Sequence, residues 1–323
     1  MTDKINIVFM GTPEFAAKHL EEILKFPDSY NIIAVLTQPD KPQGRSKKLM
    51  PSPVKKVALD NKIEVLQPIT FKTPEIIKTL KSLKADVFIT VAYGFILPNS
   101  VLEIPAYGSI NIHASLLPKY RGAAPIQYTL LNGDDMSGVT CFLLDSGIDT
   151  GPILLQKECK VSISDDFFSL SDKLCTLGCE CLIEALCRIK GTDFQFKGFP
   201  QQPSSEEPTK KITKDFGFVD FHNQTKYLHN KIRAFCNWPV CHIDIPLNNT
   251  KLAVKLLKSE PIEPCNLCKN KSPGEISIFG NRKMHIRTLN GCISILELQL
   301  EGKKQMKVDS FLNGHSIPSG ICI

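Results

Sequence analysis

The sequence predicts an α/β protein: a Rossmann-like, mainly parallel sheet with helices on both faces, followed by a small β-barrel of the OB-like kind. Three observations lead there. Apolar runs of strand length alternate with amphipathic helical stretches over residues 1–190. A stretch rich in Gly, Pro and Ser then interrupts the pattern at 191–208. After it, short runs separated by Asn- and Gly-containing turns replace the alternation. The first pattern is that of a sheet covered on both faces, the last that of a small antiparallel barrel. A length of 323 residues suits two domains. The expected division is an N-terminal domain over 1–190, a linker over 191–208 and a C-terminal domain over 209–323.

Taken in order, the apolar run 5–10 is the first expected strand, followed by Gly11-Thr12-Pro13 and a helical pattern over 14–25. Phe15, Ala16, Leu20, Ile23 and Leu24 mark one face of that helix. Thr12 reads as its N-cap, with Pro13 in the first helical position. Further strands are expected at 31–37, 63–67, 85–92 and 109–113. Helices are expected at 52–61, capped by Ser52 with Pro53 following, at 73–83 and at 123–131. Strands at 138–144 and 152–161 flank a Gly-punctuated turn, and a long helix over 165–189 closes the unit. Past the linker come a helix at 225–234 and strands at 240–245, 251–257, 274–279, 284–288 and 292–300.

Composition narrows the class. An apolar fraction of 42% with 22% charged residues excludes a disordered or fibrous chain. No run approaches the ~18 apolar residues of a membrane helix, and no secretory signal is read at the N-terminus. A cytoplasmic location is expected. Twelve cysteines are spread through apolar positions such as Cys141, Cys175, Cys179, Cys187 and Cys292, as small hydrophobes of a reducing compartment. Cys265 and Cys268 form a C-x-x-C, but no second pair follows at zinc-finger spacing, so that segment reads as a surface loop and no metal is expected.

Charge is uneven. Residues 209–323 hold 17 Lys and Arg against 9 Asp and Glu, a net +8, while 1–208 hold 22 against 24. One basic island interrupts the acidic half: Lys41, Arg45, Lys47, Lys48, Lys55 and Lys56 against Asp40. A basic tail and a basic loop suit a polyanionic partner, because neutralised phosphates release counterions.

Nucleotide motifs are missing. Gly11-Thr12-Pro13-Glu14 is not a G-x-G-x-x-G, no acidic residue ends the second strand, and no P-loop exists. The informative stretch is Asn111-Ile-His113-Ala-Ser115-Leu116-Leu117-Pro118-Lys-Tyr-Arg-Gly122. Asn111 and His113 are two apart on a strand, so they share a face, and they sit at its carboxyl end, where open parallel sheets bind ligands. A carboxylate in the Gly-rich turn, Asp149 or its competitor Asp145, is placed to orient the imidazole. Amide, imidazole and carboxylate together suit acyl or formyl transfer, the first two stabilising oxygen charge and the last two moving a proton. No G-x-S-x-G is present, so direct transfer is the simpler chemistry.

At these residues the sequence resembles the methionyl-tRNA formyltransferase family. The matching motifs are Val8 to Phe15, Thr37-Gln38-Pro39-Asp40-Lys41-Pro42 through Gly44-Arg45 and Lys47-Lys48-Leu49, Val91-Ala92-Tyr93-Gly94, Asn111 to Gly122, and Asp149-Thr150-Gly151. The resemblance implies 10-formyltetrahydrofolate as formyl donor and the methionine amino group of initiator methionyl-tRNA as acceptor. It makes Asn111, His113 and Asp149 the catalytic set, and Ser115, Leu116, Leu117 and Pro118 folate-binding residues. The Tyr93-Gly94 loop would border the pteridine. It also assigns Arg45, Lys47 and Lys48 to tRNA contact and the C-terminal barrel to the tRNA backbone. No membrane and no obligate protein partner are implied.

Two features depart from the family pattern: Arg233-Ala-Phe-Cys236-Asn237-Trp238-Pro239 lacks the first proline of R-A-x-N-P-W-P, and a tyrosine is absent before Lys211-Ile212. Trp238, the sole Trp, is read as a packing residue with a face that a base could stack on. Two alternatives use the same residues differently. One is a folate-dependent formyltransferase for a small amine such as a glycinamide ribonucleotide or an amino-sugar nucleotide. The other is a non-catalytic RNA-binding protein. The basic loop speaks against the first and the complete Asn111, His113 and Asp149 set against the second.

Overall fold

A computed structural model of the chain describes residues 4–43, 48–193, 195–247, 250–280 and 282–323. It separates into two compact units, Met1–Pro125 with Met136–Lys160 and Ser171–Thr209, and Ile126–Asp135 with Val161–Leu170 and Lys210–Ile323.

In the first unit the strands are β1 (Ile5–Gly11), β2 (Tyr30–Leu36), the short pair β3 (Lys41–Gln43) and β4 (Lys48–Met50), β5 (Val65–Leu66), β6 (Val87–Val91), β7 (Ser109–His113), β8 (Met136–Leu143) and β9 (Ile153–Lys160). Seven of them form one sheet in the order β5-β2-β1-β6-β7-β8-β9. The pairs from β5 through β7 are parallel, while β8 and β9 add on antiparallel. The predicted Rossmann-like sheet is therefore present, with an antiparallel edge. Helices α1 (Glu14–Leu24), α2 (Pro53–Asp60), α3 (Pro74–Ser82) and α4 (Asn99–Leu102) follow the early strands. The chain leaves β1 toward β2 and returns through β6 on the other side of β1. That reversal opens a crevice beyond the carboxyl ends of β1 and β6.

Local chemistry explains the helix starts. Ser52 caps α2 by accepting from the Lys55 backbone N–H at 3.0 Å, and its hydroxyl also bonds the buried Thr37 hydroxyl at 2.7 Å. The expected Thr12 cap is not formed. Pro13 holds the cap position of α1, and Thr12 instead donates to the Tyr93 carbonyl at 3.0 Å. Gln38 reaches the same carbonyl at 3.1 Å, so one acceptor ties together the turns that follow β1, β2 and β6. A tertiary partner won over the local one.

The second unit holds α5 (Pro125–Asn132) from its second residue and the first turn of α6 (Phe167–Gly191). To these it adds α7 (Thr225–Ala234), α8 (Val308–Gly314) and strands β10 (His242–Leu247), β11 (Thr250–Ile262), β12 (Ile276–Phe279), β13 (Lys283–Arg287), β14 (Cys292–Leu300) and β15 (Gln305–Lys307). The sheet is antiparallel in the order β10-β11-β14-β13-β12, with β15 on β14, and curls as a half-barrel. Two register shifts in β11, around Lys258, supply bulges that increase local twist and so favour the curl. Arg233 of α7 is buried and satisfied: it donates to Asn230 Oδ1 and to the Ser162 and Asp165 carbonyls, each at 3.0 Å. Burial pushes its guanidinium below its ordinary pKa.

Two surface expectations change. The C-x-x-C segment is not a solvated loop, because Cys265 and Cys268 are both buried, 6% and 0% exposed. Cys187, read as an apolar-position cysteine, is exposed. Replacing Ser52 by Ala removes both the α2 cap and the partner of the buried Thr37 hydroxyl. Urea unfolding is expected to show a loss of about 1–2 kcal/mol.

Candidate active site

His113 ends β7 and is 6% exposed. Its Nε2 lies 2.8 Å from the Tyr120 carbonyl oxygen, which can only accept, so in this geometry Nε2 carries the hydrogen. Its Nδ1 faces the Asp149 carboxylate at 3.5 Å. The same carboxylate oxygen accepts the Gly122 backbone N–H at 2.7 Å. Asn111, two residues upstream on the same face, is partly buried, and among the described residues its side-chain amide makes no hydrogen bond to the protein. The site thus presents an uncommitted amide beside an oriented imidazole–carboxylate pair.

The pair is not a simple outcome of strand adjacency. β8 runs antiparallel to β7, so its last residue, Leu143, lies opposite Ile110, whereas Thr140 lies opposite His113. The 144–152 loop therefore leaves β8 at the end away from His113 and must turn back to deliver Asp149. Asp145, the competing carboxylate, stays where the loop begins and binds its own turn, accepting from the Thr150 hydroxyl at 2.7 Å and the Gly147 N–H at 3.0 Å.

Residues that sequence reasoning did not single out hold the returning loop. Gln201 donates from Nε2 to the Asp149 and Gly151 carbonyls, both at 2.8 Å, and its Oε1 accepts from Arg121 Nη2 at 2.6 Å and Nε at 3.1 Å. One side chain thereby clamps the Asp149 loop to the segment that follows His113. Thr209 braces the other side of Arg121 by donating its N–H and its hydroxyl to the Arg121 carbonyl, at 2.6 and 2.9 Å. Gly122 has φ +100°, and a Cβ there would lie 2.7 Å from the Thr209 carbonyl oxygen, so only glycine fits. Gln201 stands in a Gly/Pro/Ser-rich stretch with no periodicity, and nothing local marked it. For Gly122 the signal in the sequence is the glycine that closes the Asn111–Gly122 motif.

Backbone strain gathers here too. Ala92 (φ 44°), Tyr120 (φ 59°) and Asp149 (φ 53°) adopt the left-handed conformation, which costs non-glycine residues about 1–3 kcal/mol each. Ala92 follows β6, Tyr120 supplies the carbonyl on His113, and Asp149 supplies the carboxylate. Tyr93, next to Ala92, is 2% exposed with a buried hydroxyl that lacks a partner among the described residues, and burial raises its pKa well above the ordinary phenol value.

The Ser115–Pro118 stretch is built into the same scaffold. Ser115 is buried and donates to the Lys119 carbonyl at 2.6 Å, while Thr140 and Gln156 of the neighbouring strands bond the Ser115 and Leu117 carbonyls at 2.7 and 2.9 Å. Leu116 lies over Gly138 of β8, where a Cβ would meet its side chain at 2.5 Å. Leu117 is buried and Pro118 partly exposed. Ser115 and Leu117 thus shape the loop, and Leu116 and Pro118 have the more accessible side chains.

Of the basic loop residues, Lys48 is exposed on β4, whereas Arg45 and Lys47 lie outside the described residues. Two other members of the island are committed internally. Lys55 binds both Asp40 oxygens (2.8 and 3.0 Å) and Gln67, and Lys41 binds Gln38 at 2.6 Å. The Lys55 ammonium and the Gln67 amide hold the Asp40 carboxyl below its ordinary pKa.

Comparison with known proteins gives this arrangement its class. A family model described as formyl transferase matches residues 4–186, and one described as formyl transferase, C-terminal domain, matches 211–316. The class is that of formyl-transferring enzymes. The methionyl-tRNA formyltransferase of Caldanaerobacter subterraneus subsp. tengcongensis is 40% identical over 98% of this chain and 99% of its own length. That of Kosmotoga olearia is 42% identical over 98% and 99%. The chain belongs to the methionyl-tRNA formyltransferase family. Among solved structures, the N-formyltransferase of Helicobacter canadensis, in complex with folinic acid and dTDP-3-aminofucose, shares the fold with a TM-score of 0.63. It is 23% identical and covers 94% of this chain and all of that one.

Gln201→Ala removes the clamp without touching His113 or Asp149. Turnover in formyl transfer is expected to fall on the order of 10²-fold, the scale of a catalytic group displaced by about 1 Å, with KM for the folate little changed. Gln201→Glu keeps the acceptor for Arg121 but loses both donors, so it should fail to rescue. Unchanged kcat in both variants, measured with a thermal melt to confirm folding, removes the clamp from the mechanism.

Proposed function

We propose that the chain transfers the formyl group of 10-formyltetrahydrofolate to the α-amino group of methionine on initiator methionyl-tRNA, using Asn111, His113 and Asp149. Family membership over nearly the whole chain supports the reaction. The observation that carries the choice of residues is the free Asn111 amide beside the clamped His113–Asp149 pair.

Bound 10-formyltetrahydrofolate supplies the one-carbon group, and the chain supplies the polar machinery around it. Asn111 donates its uncommitted amide hydrogen to the formyl oxygen as negative charge builds there. His113, with Nε2 held by the Tyr120 carbonyl and Nδ1 facing Asp149, stabilises the same oxygen through the positive charge its ring carries while the pair holds the proton. The His113–Asp149 pair takes the proton that the amine loses as its nitrogen bonds to the formyl carbon. It returns a proton to the folate nitrogen as the carbon–nitrogen bond to the donor breaks. Asp149 stays positioned through the Gly122 N–H. Ser115, Leu116, Leu117 and Pro118 form one wall for the folate and the Tyr93-Gly94 turn another. The free Asn111 amide is a donor suited to a carbonyl oxygen.

Arg45, Lys47 and Lys48 contact the tRNA acceptor end. Lys41 and Lys55 of the same island are already committed to Gln38 and Asp40. Residues 209–323, with net charge +8, grip the tRNA backbone. The N-terminal domain over 1–190 carries the reacting residues, and 191–208 joins the two while supplying the Gln201 clamp. Among the described residues no helix is long and apolar enough to cross a membrane. The proposed setting is the cytoplasm, with no obligate protein partner.

The decisive assay offers 10-formyltetrahydrofolate with either methionyl initiator tRNA or free small amines. Transfer to the charged tRNA alone is expected, and transfer to a small amine instead overturns the assignment. His113→Ala should lower turnover by about 10³-fold or more while folate binding survives, and near-normal turnover excludes His113. Arg45→Ala and Lys48→Ala should raise KM for tRNA and flatten the salt dependence of binding by about one phosphate each. Unaltered tRNA kinetics in both sinks the loop assignment.

A further inference from the structure

The buried C-x-x-C has partners that its sequence context hides. His285 and Ser277 are paired across β12 and β13, and Arg287 pairs with Cys292 across β13 and β14. Directly opposed residues of an antiparallel sheet share a face, and so do residues two apart along a strand. Ser277, His285 and Cys292 therefore project from one face. The 265–268 turn lies against that face: the Cys268 sulfur is 3.5 Å from the Ser277 hydroxyl, and Cys265, Cys268 and Cys292 pack together as one buried cluster. Ligand atoms of Cys265, Cys268 and His285 all lie within 4.8 Å of one another.

Burial makes this grouping unusual. Cys268 and Cys292 are fully buried, Cys265 is 6% exposed and His285 5%. The His285 Nδ1 is buried with no hydrogen-bond partner among the described residues, an arrangement that costs about 1–3 kcal/mol unless something else satisfies the ring. Two thiols and an imidazole converge on one point, and the Cys292 thiol packed beside both cysteines is the further donor that a closed Cys₃His site needs; soft thiolates with imidazole select zinc. The spacing is C-x₂-C-x₁₆-H-x₆-C, with the last two ligands on strands, which is why no finger pattern shows in the sequence.

The other buried cluster is His19 with Cys175 and Cys179. Among the described residues three donors converge there, and the ring is already held by the Phe15 carbonyl, 2.7 Å from Nδ1.

We propose that Cys265, Cys268, His285 and Cys292 bind one structural zinc ion that pins the β11–β12 connection to β13 and β14. All four positions being protein donors, the ion has no open site and takes no part in formyl transfer. The three thiols bind as thiolates, so loading releases protons and folding of this unit becomes coupled to metal.

The test uses the full chain, purified without chelator or added metal. Elemental analysis is expected to find about one zinc per chain, released by a mercurial thiol reagent. Cobalt(II) added to the reduced, metal-free chain is expected to give the visible bands of tetrahedral coordination with a sulfur-to-cobalt charge-transfer band. His285→Ala should weaken cobalt binding by at least the ~10–100-fold that outer partners of metal sites carry, while Cys187→Ser, at an exposed cysteine elsewhere, leaves it unchanged. The cobalt spectrum of the unmutated chain keeps the test independent of whether any variant folds. Two results overturn the proposal: no stoichiometric zinc together with no tetrahedral cobalt spectrum, or two of the twelve cysteines missing from thiol titration of the denatured, unreduced chain, which would mark a disulfide in place of a metal.

Discussion

The contact between the Asp149 carboxylate and the His113 ring is a long-range product of how an antiparallel strand joins a parallel sheet. β8 ends opposite Ile110, so the loop after it starts at the wrong end of β7 and has to run back to reach the imidazole. Nothing in a loop of that length makes it return of its own accord. The return is enforced from outside the loop, by the Gly122 N–H on the carboxylate and by the Gln201 amide on two loop carbonyls. Gln201 is in turn held by Arg121, whose backbone is held by Thr209. The chain from 199 to 209 is therefore part of the framework of the candidate site, and Phe199 reinforces it by exchanging backbone hydrogen bonds with Ile153 at the start of β9.

Three of the residues with left-handed backbone lie at or beside this framework. Left-handed backbone at Ala92, Tyr120 and Asp149 persists only where surrounding bonds overdetermine it. At Tyr120 the bond to His113 Nε2 supplies part of that determination, and at Asp149 the Gly122 and Gln201 bonds do. A conformation held this way is already ordered before substrate arrives, so little reorganisation remains for the reaction itself. The Tyr93 carbonyl performs the same service for the crevice by accepting from Thr12 and Gln38 at once.

Much of the fold was legible, and where it was not the reasons are physical. Strand and helix periodicity placed β7, α7 and β14 at their observed bounds, because each has a sharp apolar pattern ended by a polar or glycine turn. The α2 start was readable because a Ser cap is a local interaction. The Thr12 cap failed for the converse reason: its hydroxyl has a better acceptor 81 residues away. The β3–β4 pair escaped notice because three-residue strands carry no period. Of the site, Asn111, His113 and Asp149 were legible as polar residues in a setting that should be apolar or loop. Gln201 was not, being one polar residue among several in an irregular stretch.

The sequence by itself determined the class of sheet, the order of its elements, the chemical character of the motif from Asn111 to Gly122 and the separation of charge between the two halves. These are properties of spacing and composition, and they need no knowledge of what lies next to what. Only the tertiary structure decided which of Asp145 and Asp149 faces the imidazole, which lysines of the basic island are already paired, and what stands beside the C-x-x-C. Each of those outcomes depends on side chains brought together from distant positions: Gly122 with Asp149, Lys55 with Asp40, His285 and Cys292 with Cys268. Hydrogen bonds and ion pairs act over about 3 Å, and the chain reaches that distance between such residues only after the sheets have set their register.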